Sequence, residues 1–179
     1  MTRPPRPLTP GEVGQRLARL GVTPQTPLAV AVSGGGDSLA LALLVSGWSR
    51  YVTALHVDHG LRPGSDREGP WLRALLASLG LETVLLTRDD ASVAGNLQAQ
   101  ARQDRYALME AWCVRQDVRH LVLAHHRDDQ AETVLLSLAR GSGVDGLAAM
   151  APSTPGLTAP DQVQRLRPLL DVGKLRLMA

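Results

Sequence analysis

The chain has 179 residues, of which 44% are hydrophobic, and a net charge of +2, and these values predict one folded domain. No apolar run approaches the roughly 20 residues that a membrane-spanning helix needs, so we expect no membrane partner. The single cysteine, Cys113, excludes an internal disulfide or a cysteine-clustered metal site within these residues. These features indicate a cytoplasmic protein. The basic residues are arginines apart from Lys174.

The first predicted helix begins after Thr9. Residues 9–12 have the pattern of a capping box with proline at the first helical position. Val13, Leu17 and Leu20 then follow at helical spacing and form one apolar face. We expect residues 1–8 to form a tail.

Apolar segments alternate with helical segments through the rest of the chain. Strands are predicted at 28–32, 52–57, 83–86 and 120–124, with a further strand at 163–167. Helices are predicted at 37–48, 66–79, 96–115 and 128–139. This alternation predicts an α/β, Rossmann-like fold with a parallel sheet flanked by helices on both faces. Three prolines at 151–160 predict an exposed loop there.

Polar clusters follow three of the predicted strands, at 33–38, 58–62 and 125–129. The carboxyl ends of parallel strands meet at one edge of a sheet, and ligands bind in the crevice beyond that edge. The sequence therefore predicts a single active site there.

A glycine-rich loop at 33–38 connects the first strand to the next helix. Its glycines allow close approach of the backbone, and the helix start favours an anion. A plain turn between strand and helix is one alternative. A P-loop would need a lysine that is absent here, and the dinucleotide fingerprint would meet Leu39 at its third glycine, although Asp58 lies where its ribose-binding acid would fall.

The pattern Ser-Gly-Gly-x-Asp-Ser fits residues 33–38 in full and resembles the PP-loop of ATP pyrophosphatases. That loop holds the phosphates that leave as pyrophosphate. Because an acid beside phosphates would repel them, Asp37 is expected to act with Mg²⁺.

A histidine–carboxylate cluster occupies 124–133. Asp129 and Glu132 are three residues apart and share a helix face. The alternatives are helix capping with a solvated face, a transition-metal site, a general acid–base pair, and a nucleotide–Mg²⁺ site that completes the glycine loop. We favour the last, because both segments lie at the same sheet edge. Arg102 and Arg105 also share a helix face, which is equally compatible with solvated charge.

Together these segments resemble the tRNA(Ile)-lysidine synthetase family over residues 25–171. The matching segments are Ser33-Gly-Gly-Gly-Asp-Ser38, His56-Val-Asp-His-Gly-Leu-Arg62, Gly95-Asn-Leu97 with Ala101-Arg-Gln-Asp-Arg-Tyr106, Ala124-His-His-Arg-Asp-Asp-Gln-Ala-Glu-Thr133, Arg140-Gly-Ser-Gly-Val-Asp-Gly-Leu147 and Arg167-Pro-Leu-Leu170. The resemblance implies a fold of the adenine nucleotide alpha hydrolase type.

The resemblance also implies a reaction. ATP adenylates O2 of the wobble cytidine in tRNA(Ile) with a CAU anticodon, and pyrophosphate leaves. The ε-amine of free L-lysine then attacks C2, and AMP leaves. The implied partners are that tRNA and lysine, with Mg²⁺ as cofactor and a homodimer as one possible assembly.

The resemblance assigns roles to individual residues. ATP binding falls to Ser33, Gly34, Gly35, Gly36, Asp37, Ser38 and His56. The catalytic residues are Asp37, Arg105, His125 and Asp129, and Asp37 and Asp129 are the implied Mg²⁺ ligands. Glu132 is implied in lysine binding. Arg140, Gly141, Ser142 and Gly143 are implied to shape the path of the target base into the site.

The implied domain organisation has three parts: a tail and helix at 1–24, the PP-loop catalytic domain at 25–171, and at 172–179 the start of a truncated helix or linker toward C-terminal tRNA-binding domains. Two alternatives remain. A 2-thiocytidine-type PP-loop enzyme typically uses several cysteines, against which Cys113 alone argues. A nucleotide-binding module without catalysis would bind ATP and release no pyrophosphate.

Overall fold

The structure is a computed structural model that describes residues 6–58, 65–87, 97–141 and 149–178. The helices are α1 (Pro10–Arg19), α2 (Gly36–Ser46), α3 (Ser65–Ser78), α4 (Leu97–Arg115), α5 (Arg127–Ala139) and α6 (Lys174–Leu177). The strands are β1 (Leu28–Ala31), β2 (Val52–Asp58), β3 (Glu82–Thr87), β4 (His120–Val122), β5 (Ser153–Pro155) and β6 (Gln164–Leu166). Within the described ranges, none of the helices has the length and apolar character needed to span a membrane.

The strands form one sheet in the order β3-β2-β1-β4-β6-β5. All neighbouring pairs are parallel except β5 with β6, so the predicted parallel sheet is confirmed with one antiparallel edge strand. β5 lies inside the segment predicted as a loop. Its Ser-Thr-Pro sequence has no apolar alternation, and proline is tolerated at a sheet edge. Only the pairing with β6 makes this segment a strand.

Helices cover both faces of the sheet. Alternate residues of β1 point to opposite sides: Leu28 and Val30 belong to a cluster with α1, α2 and α3, whereas Ala29 belongs to a second cluster with Met109 and Cys113 of α4. Because both faces are buried, the strands are short continuous apolar runs rather than alternating ones.

The N-terminal helix is part of the core. Its capping box is present, with the Glu12 amide donating to Thr9 Oγ1 at 3.3 Å and the Thr9 amide donating to Glu12 Oε2 at 3.1 Å. Val13 and Leu17 are fully buried, and so is nearly all of Leu8, which the sequence alone assigned to a tail.

The strand order reverses next to β1. After β1 the chain builds β2 and β3 on one side, then crosses to β4 on the other. The carboxyl ends of β1 and β4 therefore face a crevice at the switch point of the sheet, where ligands bind in folds of this type. The loop at 33–35 follows β1, and residues 125 and 126 follow β4.

Candidate functional site

The glycine-rich loop leads directly from β1 into α2. Gly34 has a φ of +87°, which a residue with a Cβ rarely adopts. Two serines close the loop: the Ser38 hydroxyl donates to the Gly35 carbonyl at 2.8 Å and accepts from the Ser33 amide at 3.1 Å. Gly35 is the N-cap of α2 and has no side chain to cover the amides of the first turn. These amides, together with the helix dipole, are suited to bind an anion at the crevice.

Asp37 lies in the first turn of α2 and contacts two basic side chains. Its Oδ2 atom is 3.3 Å from Nζ of Lys174 and 3.5 Å from Nε2 of His126. Its Oδ1 atom is buried and accepts no hydrogen bond from the part of the chain that the structure describes. This carboxylate is therefore held toward positive charge, with one oxygen left for a further ligand.

His126 connects Asp37 to Asp129. It is the N-cap of α5 and only 3% exposed. Its amide donates to Asp129 Oδ2 at 2.7 Å, and its ring Nδ1 lies 3.3 Å from the same oxygen. The imidazole thus lies between the two predicted metal-binding acids. The sequence predicted no separate role for His126, because two adjacent histidines give no indication of which one faces the glycine loop.

His125 has different neighbours from His126. Burial, together with the positive charges of Arg167 and Arg102, lowers its pKa from 6.5 to about 4. Arg167 is itself buried and donates to the Ala151 carbonyl at 3.0 Å and to Thr154 Oγ1 at 3.1 Å. His125 is therefore a neutral imidazole at neutral pH, beside a fixed guanidinium.

His56 supports the start of the glycine loop. Its buried ring places Nδ1 2.9 Å from the carbonyl oxygen of Val32, the residue before Ser33. Because a carbonyl only accepts, the hydrogen bond assigns the proton to Nδ1. His56 thus fixes the backbone where β1 ends.

The other predicted residues lie on α4 and along α5. Arg105 is half-buried on α4, and Glu132 is exposed on α5, one turn beyond Asp129. Arg140 and Gly141 are exposed at the end of α5. Ser142 and Gly143 lie outside the described residues.

The residues present fit a magnesium ion bound together with phosphates. Mg²⁺ in nucleotide sites uses one or two carboxylates and completes its shell with phosphate oxygens and water. Asp37 offers its unpartnered Oδ1 oxygen. Asp129 is less available to a metal ion, because its Oδ2 already accepts a hydrogen bond from the His126 amide. Over the described ranges, no three histidine, cysteine or acidic side chains converge as a self-contained metal site.

Comparison with known families and curated proteins identifies the family to which the chain belongs. A PP-loop domain family matches residues 12–179. The tRNA(Ile)-lysidine synthase of Wolbachia pipientis wMel is 46% identical over 129 residues, which are 69% of this chain and 30% of that protein. The tRNA(Ile)-lysidine synthase of Bradyrhizobium diazoefficiens is 41% identical over 179 residues, which are 97% of this chain and 48% of that protein. The chain thus spans about a third to a half of the length of such relatives.

Solved structures support the fold. A U34-tRNA thiolase from Methanococcus maripaludis, solved with its [4Fe-4S] cluster, aligns with a TM-score of 0.74 at 20% identity over 94% of this chain and 60% of that chain. The NH3-dependent NAD synthetase of Campylobacter jejuni aligns with a TM-score of 0.55 at 15% identity over 95% and 71%. At these identities the likeness concerns the fold alone. The chain belongs to the PP-loop domain family of ATP-binding proteins, and the resemblance of its motifs to the tRNA(Ile)-lysidine synthases is confirmed.

Proposed function

We propose that this chain carries the catalytic site of an enzyme that ligates lysine to C2 of the wobble cytidine of tRNA(Ile) with a CAU anticodon. The observation that carries the proposal is the placement of Asp37, His126 and Asp129 beside an open PP-loop. This arrangement occurs in a chain that is 41–46% identical to tRNA(Ile)-lysidine synthases.

The first step is adenylation of the tRNA. The cytidine O2 attacks the α-phosphorus of ATP, the bond to the β-phosphate oxygen breaks, and pyrophosphate leaves. The amides at the start of α2 hold the leaving phosphates through hydrogen bonds and the helix dipole. Mg²⁺, bound through Asp37 and Asp129, would supply positive charge to the leaving group.

The second step attaches lysine to the base. The ε-amine attacks C2, the bond from C2 to the adenylated oxygen breaks, and AMP leaves with that oxygen. Free lysine has an amine pKa of about 10.4, so a proton must be removed before or during attack. Glu132 is exposed on the same helix as Asp129, and its carboxylate suits an ammonium ion through a charge-assisted hydrogen bond.

Other residues complete the proposed site. Arg105 would stabilise negative charge on the reacting phosphate, and His125, neutral at neutral pH, would hydrogen-bond the activated base without adding charge. His56 would border the adenine beside the start of the loop. Arg140 and the three residues after it would guide the target base into the site.

The test is pyrophosphate release by the purified protein with ATP, Mg²⁺, the tRNA transcript and lysine. We expect release to require the tRNA, and mass spectrometry of the digested tRNA to show lysine attached to one cytidine. Other amino acids in place of lysine are the control and should give no adduct. Product that depends on sulfide and not on lysine would instead indicate a thiolating enzyme. ATP binding with no pyrophosphate release would indicate a binding module.

A further inference from the structure

The strongest feature outside the predicted site is Lys174, in the first turn of α6. We propose that Lys174 is a cation that responds to nucleotide: it neutralises Asp37 before ATP binds and then moves its charge to the terminal phosphates of ATP. This inference rests on the proposed ATP site and adds to it a phosphate-binding residue from the C-terminal segment.

The contact that carries the inference joins the C-terminal segment to the start of α2. Lys174 Nζ lies 3.3 Å from Asp37 Oδ2, at the turn where α2 presents its free amides. Lys174 is the only lysine in a sequence with 19 basic residues. An ammonium is a compact point charge on a flexible stem, so it exchanges one oxygen ligand for another without the fixed fork geometry of arginine.

Other contacts of α6 hold the backbone of Lys174 in place. Arg176 donates to Glu12 Oε1 at 2.8 Å and to the Arg6 carbonyl at 2.9 Å, and the Leu8 amide donates to the Arg176 carbonyl at 3.0 Å. Leu177 is buried in the core cluster of α1 and α2. The backbone is thus fixed while the Lys174 side chain remains 51% exposed, so the ammonium can move without unfolding α6.

The segment that carries Lys174 also lies directly against the PP-loop. A Cβ added to Gly36 would be 2.7 Å from the terminal methyl of Met178. Arg127, at the start of α5, approaches the same segment, with a guanidinium nitrogen 2.6 Å from the position of a Cβ on Gly173. Residues 173–178 therefore lie next to the starts of α2 and α5, beside the proposed phosphate site.

The charges explain why an exchange is favourable. Asp37 repels phosphates unless a cation intervenes, and in the free protein Lys174 supplies that cation. When phosphates occupy the first turn of α2, they attract the same ammonium, which is within one side-chain length of them. Asp37 is then free to act as a metal ligand.

The first experiment measures nucleotide affinity in the absence of tRNA, by calorimetry with Mg²⁺. We expect Lys174→Ala to weaken ATP binding about tenfold or more, the scale of losing a charge-assisted hydrogen bond. Binding of AMP, which lacks the terminal phosphates, should be unchanged. Arg115→Ala, which removes an exposed charge at the end of α4, is the matched control and should bind ATP normally. Equal ATP affinity of Lys174→Ala and the unaltered protein would overturn the inference, as would an equal loss for AMP.

A second experiment needs no substitution. An amine-acylating reagent modifies exposed lysines, and peptide mass spectrometry quantifies modification at Lys174. We expect ATP with Mg²⁺ to slow this modification several-fold and AMP to leave it unchanged, whereas equal rates with and without ATP would contradict the proposal. Tight ATP binding with protection of Lys174, but no tRNA-dependent pyrophosphate release, would reject the proposed function and keep this inference. Normal pyrophosphate release, with no change in ATP affinity in Lys174→Ala and no protection of Lys174 by ATP, would reject this inference and keep the proposed function.

Discussion

The Nε2 atom of His126 lies 3.5 Å from Oδ2 of Asp37, and this contact joins the start of α5 to the start of α2. The other ring nitrogen lies 3.3 Å from Oδ2 of Asp129. A single buried imidazole therefore spaces two acids that would otherwise repel each other.

The ring of His126 should hold Asp37 and Asp129 in position. His126→Phe keeps a planar ring and removes both nitrogens, which leaves Asp37 and Asp129 without their shared partner. We expect adenylation to fall about tenfold or more, because the two acids lose the ring that lies between them at the site where charge develops. Pyrophosphate release with saturating tRNA measures the rate of adenylation, and thermal unfolding shows whether the variant is folded. A folded His126→Phe protein with full activity would contradict this role.

Asp37 should be needed for adenylation. Asp37→Asn preserves shape but removes the charge that is to hold Mg²⁺ beside the phosphates, and we expect a loss of about 10²-fold or more. Asp128→Asn, an exposed acid in the first turn of α5, is a matched control and should retain activity. Unchanged pyrophosphate release in Asp37→Asn would remove this carboxylate from the mechanism.

Glu132 and Asp129 should serve different steps. Asp129 is tied to His126, whereas Glu132 is exposed one turn further along α5. We expect Glu132→Gln to raise the KM for lysine and largely to keep tRNA-dependent adenylation, measured without lysine. Asp129→Asn should instead reduce adenylation itself. Equal losses of adenylation in the two variants would place both acids at the ATP site, and wild-type behaviour of Glu132→Gln would make it a solvated helix residue.

The histidine at 125 should make the fold sensitive to mild acid. Burial lowers its pKa from 6.5 to about 4, so between these values the unfolded chain binds more protons than the folded chain. Stability is therefore complete above pH 6.5 and is lost as the pH falls toward 4, by at most about 1.4 kcal/mol per pH unit from this residue. Urea unfolding at several pH values should show a shallower decline for His125→Gln than for the unaltered protein. An equal pH dependence of the free energy of unfolding in the two proteins would show that His125 does not titrate in this way.

Glu110 is predicted to be structural. It is fully buried on α4, and its carboxylate accepts from the amides of Leu157, Thr158 and Ala159 at 2.8, 2.7 and 3.2 Å. Burial acts to raise its pKa, but these hydrogen bonds outweigh it and the pKa lies below its usual value. Its stabilising effect is therefore present above the usual pKa of a glutamate and is lost as the pH falls below that value.

The effect of Glu110→Gln should appear in stability and not in chemistry. The variant places an amide group against backbone donors, and we expect a loss of about 2 kcal/mol in the free energy of unfolding. Denaturant unfolding measures the loss, and the KM for ATP should stay unchanged. A changed KM at unchanged stability would contradict the structural role.

The sequence by itself determined the alternation of strands and helices, the capping box at Thr9 and the loop at 33–38. These features are local: periodicity, cap chemistry and glycine spacing act within a few residues. Because parallel strands align their carboxyl ends, the sequence also predicted that the polar segments after β1, β2 and β4 share one edge.

The tertiary structure decided which side chains meet. Nothing local distinguishes His125 from His126, yet only the latter lies between Asp37 and Asp129. The sequence predicted no role for Lys174, because its contact with Asp37 forms only when the C-terminal segment folds back over α2. The same holds for β5, whose strand conformation comes from pairing with β6. Contacts between residues distant in sequence depend on the packing of whole elements, and no pattern within one segment encodes them.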